Sequence, residues 1–310
     1  TANLDRGEFA KSDKVEFSGG IASRFNSSSD GSNNAVKAVV ANDSHKVSFL
    51  ASHDEGDDTN FDSNDKIGGT EYRRSRYDLS YGWQNSTTSI EIYGGRLDTR
   101  DTGTPALPMD IDYIESDMVG LNITKSFDDI VVSGHLSYNH VDHRMNNFSQ
   151  RPDPMPAMFR ENKATAHNTA WSLQAKFPFA IGSSDGFLTV GTDGNETDHN
   201  SRNTNPNSAM FEINNFEDVE RDSYGVFTEW EGNVGSWQVE TGVRYTRVSM
   251  DSGDVSSSGM MGMMGVNAGI LASAFNSDDI SETYRDKGQL LSSTTANRPK
   301  DYGVVVPSPP

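Results

Sequence analysis

The chain of 310 residues contains no cysteine. It can therefore build no disulfide framework, no zinc–thiolate centre and no cysteine nucleophile, and its compartment cannot be read from thiol chemistry. Apolar residues are scarce as well, 34% of the chain, with a mean hydropathy of −0.65, which undersupplies a conventional buried core. Positive charge is outnumbered, with 26 Lys and Arg against 45 Asp and Glu and a formal net charge of −19. That balance repels nucleic acid and anionic lipid and favours cations as visitors, so no nucleic-acid partner is expected. Residues 1–14 contain no apolar stretch of the signal-peptide kind, so the expectation is a chain that starts mature or is cut from something longer. One uncharged run, 255–277, has the length of a membrane helix. It is diluted by Ser256, Ser257, Ser258, Asn267 and the glycines at 259, 262, 265 and 269, so a helical span is not expected. Catalytic templates are missing too: no nucleophile elbow, no phosphate-binding glycine loop before a helix, no His-Glu-x-x-His. Neither an enzyme nor an organic cofactor is expected.

What the chain does have is alternation. Val15, Phe17, Ile21 and Phe25 alternate with Glu16, Ser18, Gly20, Ala22 and Arg24, and Trp171, Leu173, Ala175 and Phe177 alternate with Ala170, Ser172, Gln174 and Lys176. This period of two makes one face apolar and the other wet. About eleven such segments fall near 15–25, 34–41, 45–53, 72–83, 87–97, 113–124, 129–145, 165–177, 186–193, 221–230 and 236–250. The fold class is therefore all-β. Short connections at 42–44, 84–86, 125–128, 178–185 and 231–235 alternate with long ones at about 54–70, 98–112, 146–164, 194–220 and from 251 onward.

A soluble sandwich has no reason to send its long loops to one end, whereas antiparallel outer-membrane barrels combine short periplasmic turns with long extracellular loops. The pattern predicts an antiparallel transmembrane β-barrel segment in contact with outer-membrane lipid. Trp237 and Tyr245 share a face and stand ~26 Å apart along an extended strand, the spacing of two aromatic girdles. Val132, Leu136, Val239 and Val243 should face lipid, and Ser133, Ser137, Glu240 and Arg244 the lumen. Eleven is an odd count for a barrel of this kind, and the tail ending Val304-Val305-Val306-Pro307-Ser308-Pro309-Pro310 is a poor closing strand, so the barrel is expected to be incomplete. Residues 1–250 are read as a partial barrel, and 251–310 as a long Met/Gly/Ser-rich loop with an irregular tail. The acidic stretch Asp54, Glu55, Asp57, Asp58, Asp62 and Asp65 reads as a solvated outer loop whose spacing does not match an ordered calcium loop.

Along the strand that starts near Asp129, Ile130, Val132, Leu136 and Tyr138 occupy the apolar parity, and Ser133, His135, Ser137, Asn139, His143 and Met145 the wet one. His143 and Met145 should therefore point together into the mouth of the lumen. A thioether selects soft metals, notably Cu(I), and an imidazole accepts copper in either state. Met109, Met155 and Met158, then Met260, Met261, Met263 and Met264, add thioethers in outward loops. Flexible apolar filling explains the last four equally well. His167 is expected to be a structural or loop residue.

The segment 93–150 carries Gly-Thr-Pro-Ala-Leu-Pro-Met-Asp-Ile at 103–111 and Tyr-Asn-His-Val-Asp-His-Arg-Met-Asn-Asn-Phe-Ser at 138–149. It resembles the copper-receptor branch of the TonB-dependent outer-membrane receptors, and the resemblance extends more loosely over 15–250. It implies a barrel filled by a plug domain, copper ion as the transported ligand, and a TonB partner reached through that plug. It also implies a His-x-Met pair on the barrel meeting a Cys-x-x-x-Met pair on the plug. His143-Arg144-Met145 matches the barrel half, and nothing in this chain matches the plug half. A passive porin, a receptor for metal chelates such as siderophores, and a surface β-protein that binds through acidic loops remain alternatives.

Overall fold

A computed structural model describes residues 5–62, 65–253, 257–258 and 306–307. Eleven long strands form one antiparallel sheet in chain order. They are β1 (Glu16–Asn26), β2 (Gly31–Ala41), β3 (His45–Gly56), β6 (Tyr72–Gln84), β7 (Thr88–Thr102), β8 (Asp110–Phe127), β9 (Ile130–Asn146), β10 (Glu161–Pro178), β11 (Gly186–Asn205), β12 (Ser208–Val234) and β13 (Trp237–Asp251). A hairpin, β4 (Thr59–Asp62) with β5 (Asp65–Ile67), stands apart, and two-residue strands β14 (Ser257–Ser258) and β15 (Val306–Pro307) touch β12 and β13. The sheet is not closed: β1 and β13 do not pair with each other.

The register converts alternation into a lipid-facing band. One unbroken row crosses eight strands as Phe17, Val40, Val47, Tyr81, Ile92, Leu121, Leu136 and Trp171. Most of these side chains are exposed, Phe17 at 79% and Ile92 at 51%. The buried residues are instead mainly polar, including Ser48, Ser80, Asp78 and Lys46, while only Val39, Ala41 and Trp230 are buried hydrophobics among the described residues. The arrangement is inverted relative to a water-soluble protein and suits a wall whose outer face meets hydrocarbon. On the other face Ser48 and Ser80 hydrogen-bond at 2.7 Å, Lys46 meets Glu91 at 3.0 Å, and Arg244 reaches Asp193 at 2.5 Å. Residues 5–14 lie against that inner face: the Gly7 carbonyl accepts from Lys46, and the Arg6 guanidinium sits 3.7 Å from the centre of the Tyr93 ring.

Short turns join the strands at one end. Between β8 and β9 the turn is Asp128-Asp129, with Asp128 at φ 49°, a left-handed geometry that Asp tolerates and tight hairpins need. At the other end the expected long loops shrink. The region 194–220, read from sequence as a loop, consists of the upper halves of β11 and β12, joined by a turn at Pro206-Asn207. The β11 half, rich in Asn, Thr, Asp and Ser, has no apolar face because both faces are wet above the bilayer, so it is held by its backbone ladder and by polar side-chain contacts such as Asn162 with Ser201 and Asn203. Similarly, β7 and β8 extend to Thr102 and from Asp110, which narrows the loop expected at 98–112.

Candidate functional site

Above the membrane band the inner faces of β8 to β11 form the wall of the lumen's mouth. The outward face shows where that zone begins: on β9 the apolar series Ile130, Val132, Leu136, Tyr138 gives way to His140, Asp142 and Arg144. Ile130 to Tyr138 covers about 27 Å along the strand, or about 20 Å across the bilayer after tilt, which is close to the height of a barrel's apolar band. His143 and Met145 lie above it, on the inner parity.

Three cross-strand rows build the site. The lowest runs Ser116, Val141, Ala166, His199, Val219, the next Ile114, His143, Ala164, Ser201, Phe216, and the highest Ile111, Met145, Asn162, Asn203, Ile213. Alanines at 164 and 166 leave a recess between the taller side chains of β9 and β11, about 410 Å³ in volume, with His143 on one side and His199 on the other. A larger recess of about 550 Å³ lies at the turn end, between Pro178 and Gln238, and its lining carries no imidazole or thioether.

His143 is half-buried, and its Nε2 is buried with no hydrogen-bond partner among the described residues. Burial pushes its imidazole below the ordinary 6.5, so the ring is held neutral. A neutral ring with an open lone pair is the state that ligates metal. Met145, half-buried, sits one row higher between Ile111 and Asn162, and the Asn162 amide is occupied with Ser201 and Asn203 at 3.0 and 2.9 Å.

The sequence-predicted thioethers divide. Met109 is half-buried in the loop that follows β7, and that loop is clasped by Asp110, only 1% exposed. Arg151 donates to both Asp110 oxygens at 2.5 and 2.7 Å and to the Leu107 carbonyl at 2.8 Å. Burial alone would push the Asp110 carboxyl up, but Arg151 and the Thr104 N–H outweigh it and hold it below 3.8. Met155 precedes a single 3-10 turn, Pro156–Met158, that Met158 ends, and the two are 73% and 53% exposed, so they stand in solvent rather than in the recess. Met260, Met261, Met263 and Met264 lie outside the described residues. His199 was not singled out by sequence reasoning, because the polar upper half of β11 gives no alternation from which to read its face. In the acidic stretch, Asp58 accepts the Thr70 N–H, which lowers its carboxyl below 3.8, and His53 pairs with Glu55 at 3.3 Å.

An exposed apolar band outside, a polar face inside and tight turns at one end define the wall of a transmembrane β-barrel of the bacterial outer membrane. Residues 51–290 match the family described as TonB dependent receptor-like, beta-barrel, and the chain belongs to that family, whose members are transporters and not enzymes. Among curated protein sequences none matches. Among solved structures the chain is similar to the copper transporter OprC, with 20% identity, a TM-score of 0.68, and coverage of 82% of this chain and 41% of that one. It is also similar to Pseudomonas aeruginosa FpvA bound to heterologous pyoverdines (11% identity, TM-score 0.58, 78% and 39% covered) and to the ferric citrate transporter FecA (11%, 0.56, 79% and 41%). The chain thus spans about two fifths of the length of these structures.

Proposed function

We propose that the chain forms part of the barrel of a TonB-energised outer-membrane receptor whose transported ligand is copper ion, with His143 and Met145 as the barrel's contribution to the binding site. The observation that carries this reading is the buried, unpartnered His143 Nε2 on the same inner face as Met145. One imidazole and one thioether suit Cu(I), and two donors alone leave the coordination sphere open. A thiolate ligand would have to come from outside this cysteine-free chain, and the resemblance points to a plug domain, which would also carry the link to TonB. The similarity to OprC favours copper over other metals, while FpvA and FecA share the fold.

Replacing Met145 with Leu keeps the volume and removes the soft donor. In the full-length receptor, Cu(I) affinity should fall while stability changes by less than ~1.5 kcal/mol. His143→Ala should weaken both copper states, and His45→Gln, at the turn end, should weaken neither. Metal content and competitive Cu(I) titration of the purified proteins are the readouts. Unchanged copper stoichiometry and affinity in the His143→Ala/Met145→Leu double variant would refute the assignment.

A second reading is uptake of a metal chelate. It is favoured by the recess of about 410 Å³ between His143 and His199, which is larger than a bare ion needs. Ala164→Phe, which fills that recess, separates the two readings: chelate binding should be lost and bare copper binding at His143 and Met145 kept.

A further inference from the structure

The outward face of the same strands carries a second cluster of ligating side chains. Where the lipid-facing rows end, a polar row crosses the sheet as Tyr77, Arg96, Asp117, His140, His167, Asp198 and Glu220. Within it Arg96 pairs by charge with Asp117 at 3.2 Å, and it also reaches Glu115 at 2.6 Å. Its two histidines face each other instead. The rings of His140 and His167 stack with centroids 4.5 Å apart and planes 25° apart, and their Nδ1 atoms stand 3.1 Å from each other. The Tyr138 hydroxyl lies 2.8 Å from the same His167 Nδ1. On the far side of His140, Asp142 Oδ2 is 3.2 Å from Nε2.

We infer that Tyr138, His140 and His167 form a binding site for a borderline divalent transition-metal ion, Cu(II) most tightly, on the outward rim of the barrel. Three observations converge on it. First, the spacings fit: donors on neighbouring positions of an ion with bonds of 2.0–2.1 Å are separated by about 2.8–3.4 Å, and the contacts at His167 Nδ1 are 2.8 and 3.1 Å. Second, the Asp142 carboxylate accepts the His140 Nε2–H, which fixes the tautomer that leaves Nδ1 bare and raises its basicity, the role that carboxylates play behind metal-bound imidazoles. Third, a neutral imidazole pair in this contact shares one proton between two lone pairs, and an ion that replaces that proton satisfies both. Among the described residues no three His, Asp or Glu side chains gather around one point; the donor set here is two imidazoles and a phenol. The rings are stacked, so a turn of one imidazole about its Cβ–Cγ bond is needed to bring both lone pairs to the ion.

This site differs from the inner pair in face and in chemistry. Tyr138, His140 and His167 share the parity of Leu136 and Trp171, so an ion bound there sits beside the lipid headgroups and not in the path through the lumen. Two nitrogens and an oxygen select Cu(II), Zn(II) or Ni(II), and the order of affinities favours Cu(II). The inference does not depend on copper being the transported ligand.

The test uses the full-length receptor carrying His143→Ala and Met145→Leu, reconstituted in detergent and titrated with Cu(II) alone. One ion should bind with an electron paramagnetic resonance spectrum showing two coupled nitrogens, together with a phenolate-to-copper charge-transfer absorption. Tyr138→Phe should abolish the absorption and keep the nitrogen couplings. His140→Ala and His167→Ala should each lose the two-nitrogen signal, and Asp142→Asn should weaken binding about tenfold with the ligands retained. Heat-modifiable migration on gels shows whether each variant assembles, and Asp142→Asn and Tyr138→Phe remain informative if the histidine variants do not. The inference is overturned if the parent binds no Cu(II), or if the spectrum survives in the assembled His140→Ala and His167→Ala proteins. It is equally overturned if no variant, Asp142→Asn and Tyr138→Phe included, differs from the parent. Cu(I) binding that is unchanged in the His143→Ala/Met145→Leu parent would count against the inner site alone.

Discussion

The Asp110 carboxylate is the most telling single group outside the proposed pair of His143 and Met145. It is 1% exposed, and its partner Arg151 lies 41 positions away and 30% exposed. Arg151→Ala would leave a carboxylate buried with its main partner gone, and should cost the clasp about 2–3 kcal/mol. Faster amide exchange across 103–109, with the strands unaffected, would reveal it. Because the folded Asp110 carboxyl is held below 3.8, the clasp is fully present above that pH and is lost as the pH falls through the folded value. His143 titrates in the analogous sense. Its folded value lies below 6.5, so its contribution to stability is complete above pH 6.5 and declines as the pH falls towards the folded value. Proton competition with copper at His143 should therefore show a midpoint below 6.5 in a pH titration of metal occupancy; a midpoint at or above 6.5 would contradict the burial of that ring. The shared face of His143 and Met145 was legible, since parity along one strand is a matter of counting. The burial of Asp110 was not, because it depends on a loop partner that no local pattern announces.

At the scale of the strand, alternation is a signal imposed by lipid, and it ends where the lipid ends. On β9 the outward series is apolar from Ile130 to Tyr138 and polar from His140, though the ladder runs on to Asn146. Reading period two therefore found the eleven strands and their turn-end boundaries but cut β11 near residue 193, twelve residues short of Asn205. The missing length held His199 and the partner positions of His167. Cysteine scanning in whole membranes should report this change of regime. Cysteines at Val132 and Leu136 should resist an aqueous reagent while those at Ser133 and Ser137 react, whereas Asp142 and His143, adjacent and on opposite faces, should both react. Protection of position 142 equal to that of 136 would place the lipid boundary wrongly.

For the whole molecule, the open sheet sets the behaviour of this chain in isolation. All eleven residues of β1 are exposed, and nearly all of β13 is as well, so two edges that are unpaired among the described residues, except where Trp237 and Gln238 meet β15, are available for association. Purified alone, the 310 residues should aggregate or require detergent, and a monodisperse, detergent-free monomer with two-state unfolding would contradict this. The paired strands β11 and β12 add a property of another kind. From the row of Asp198, β11 climbs seven more residues to Asn205, about 24 Å along the strand, and His143 lies level with Ser201, four residues below that crest. On the proposed function, an ion that leaves His143 would be released behind a parapet rather than into open medium, and many of its random excursions would end in recapture before escape. Dwell times measured with a small competing chelator that can enter should then be shorter than those measured with a bulky protein scavenger confined to the outside, and the ratio of the two would gauge how well the wall shelters its cargo.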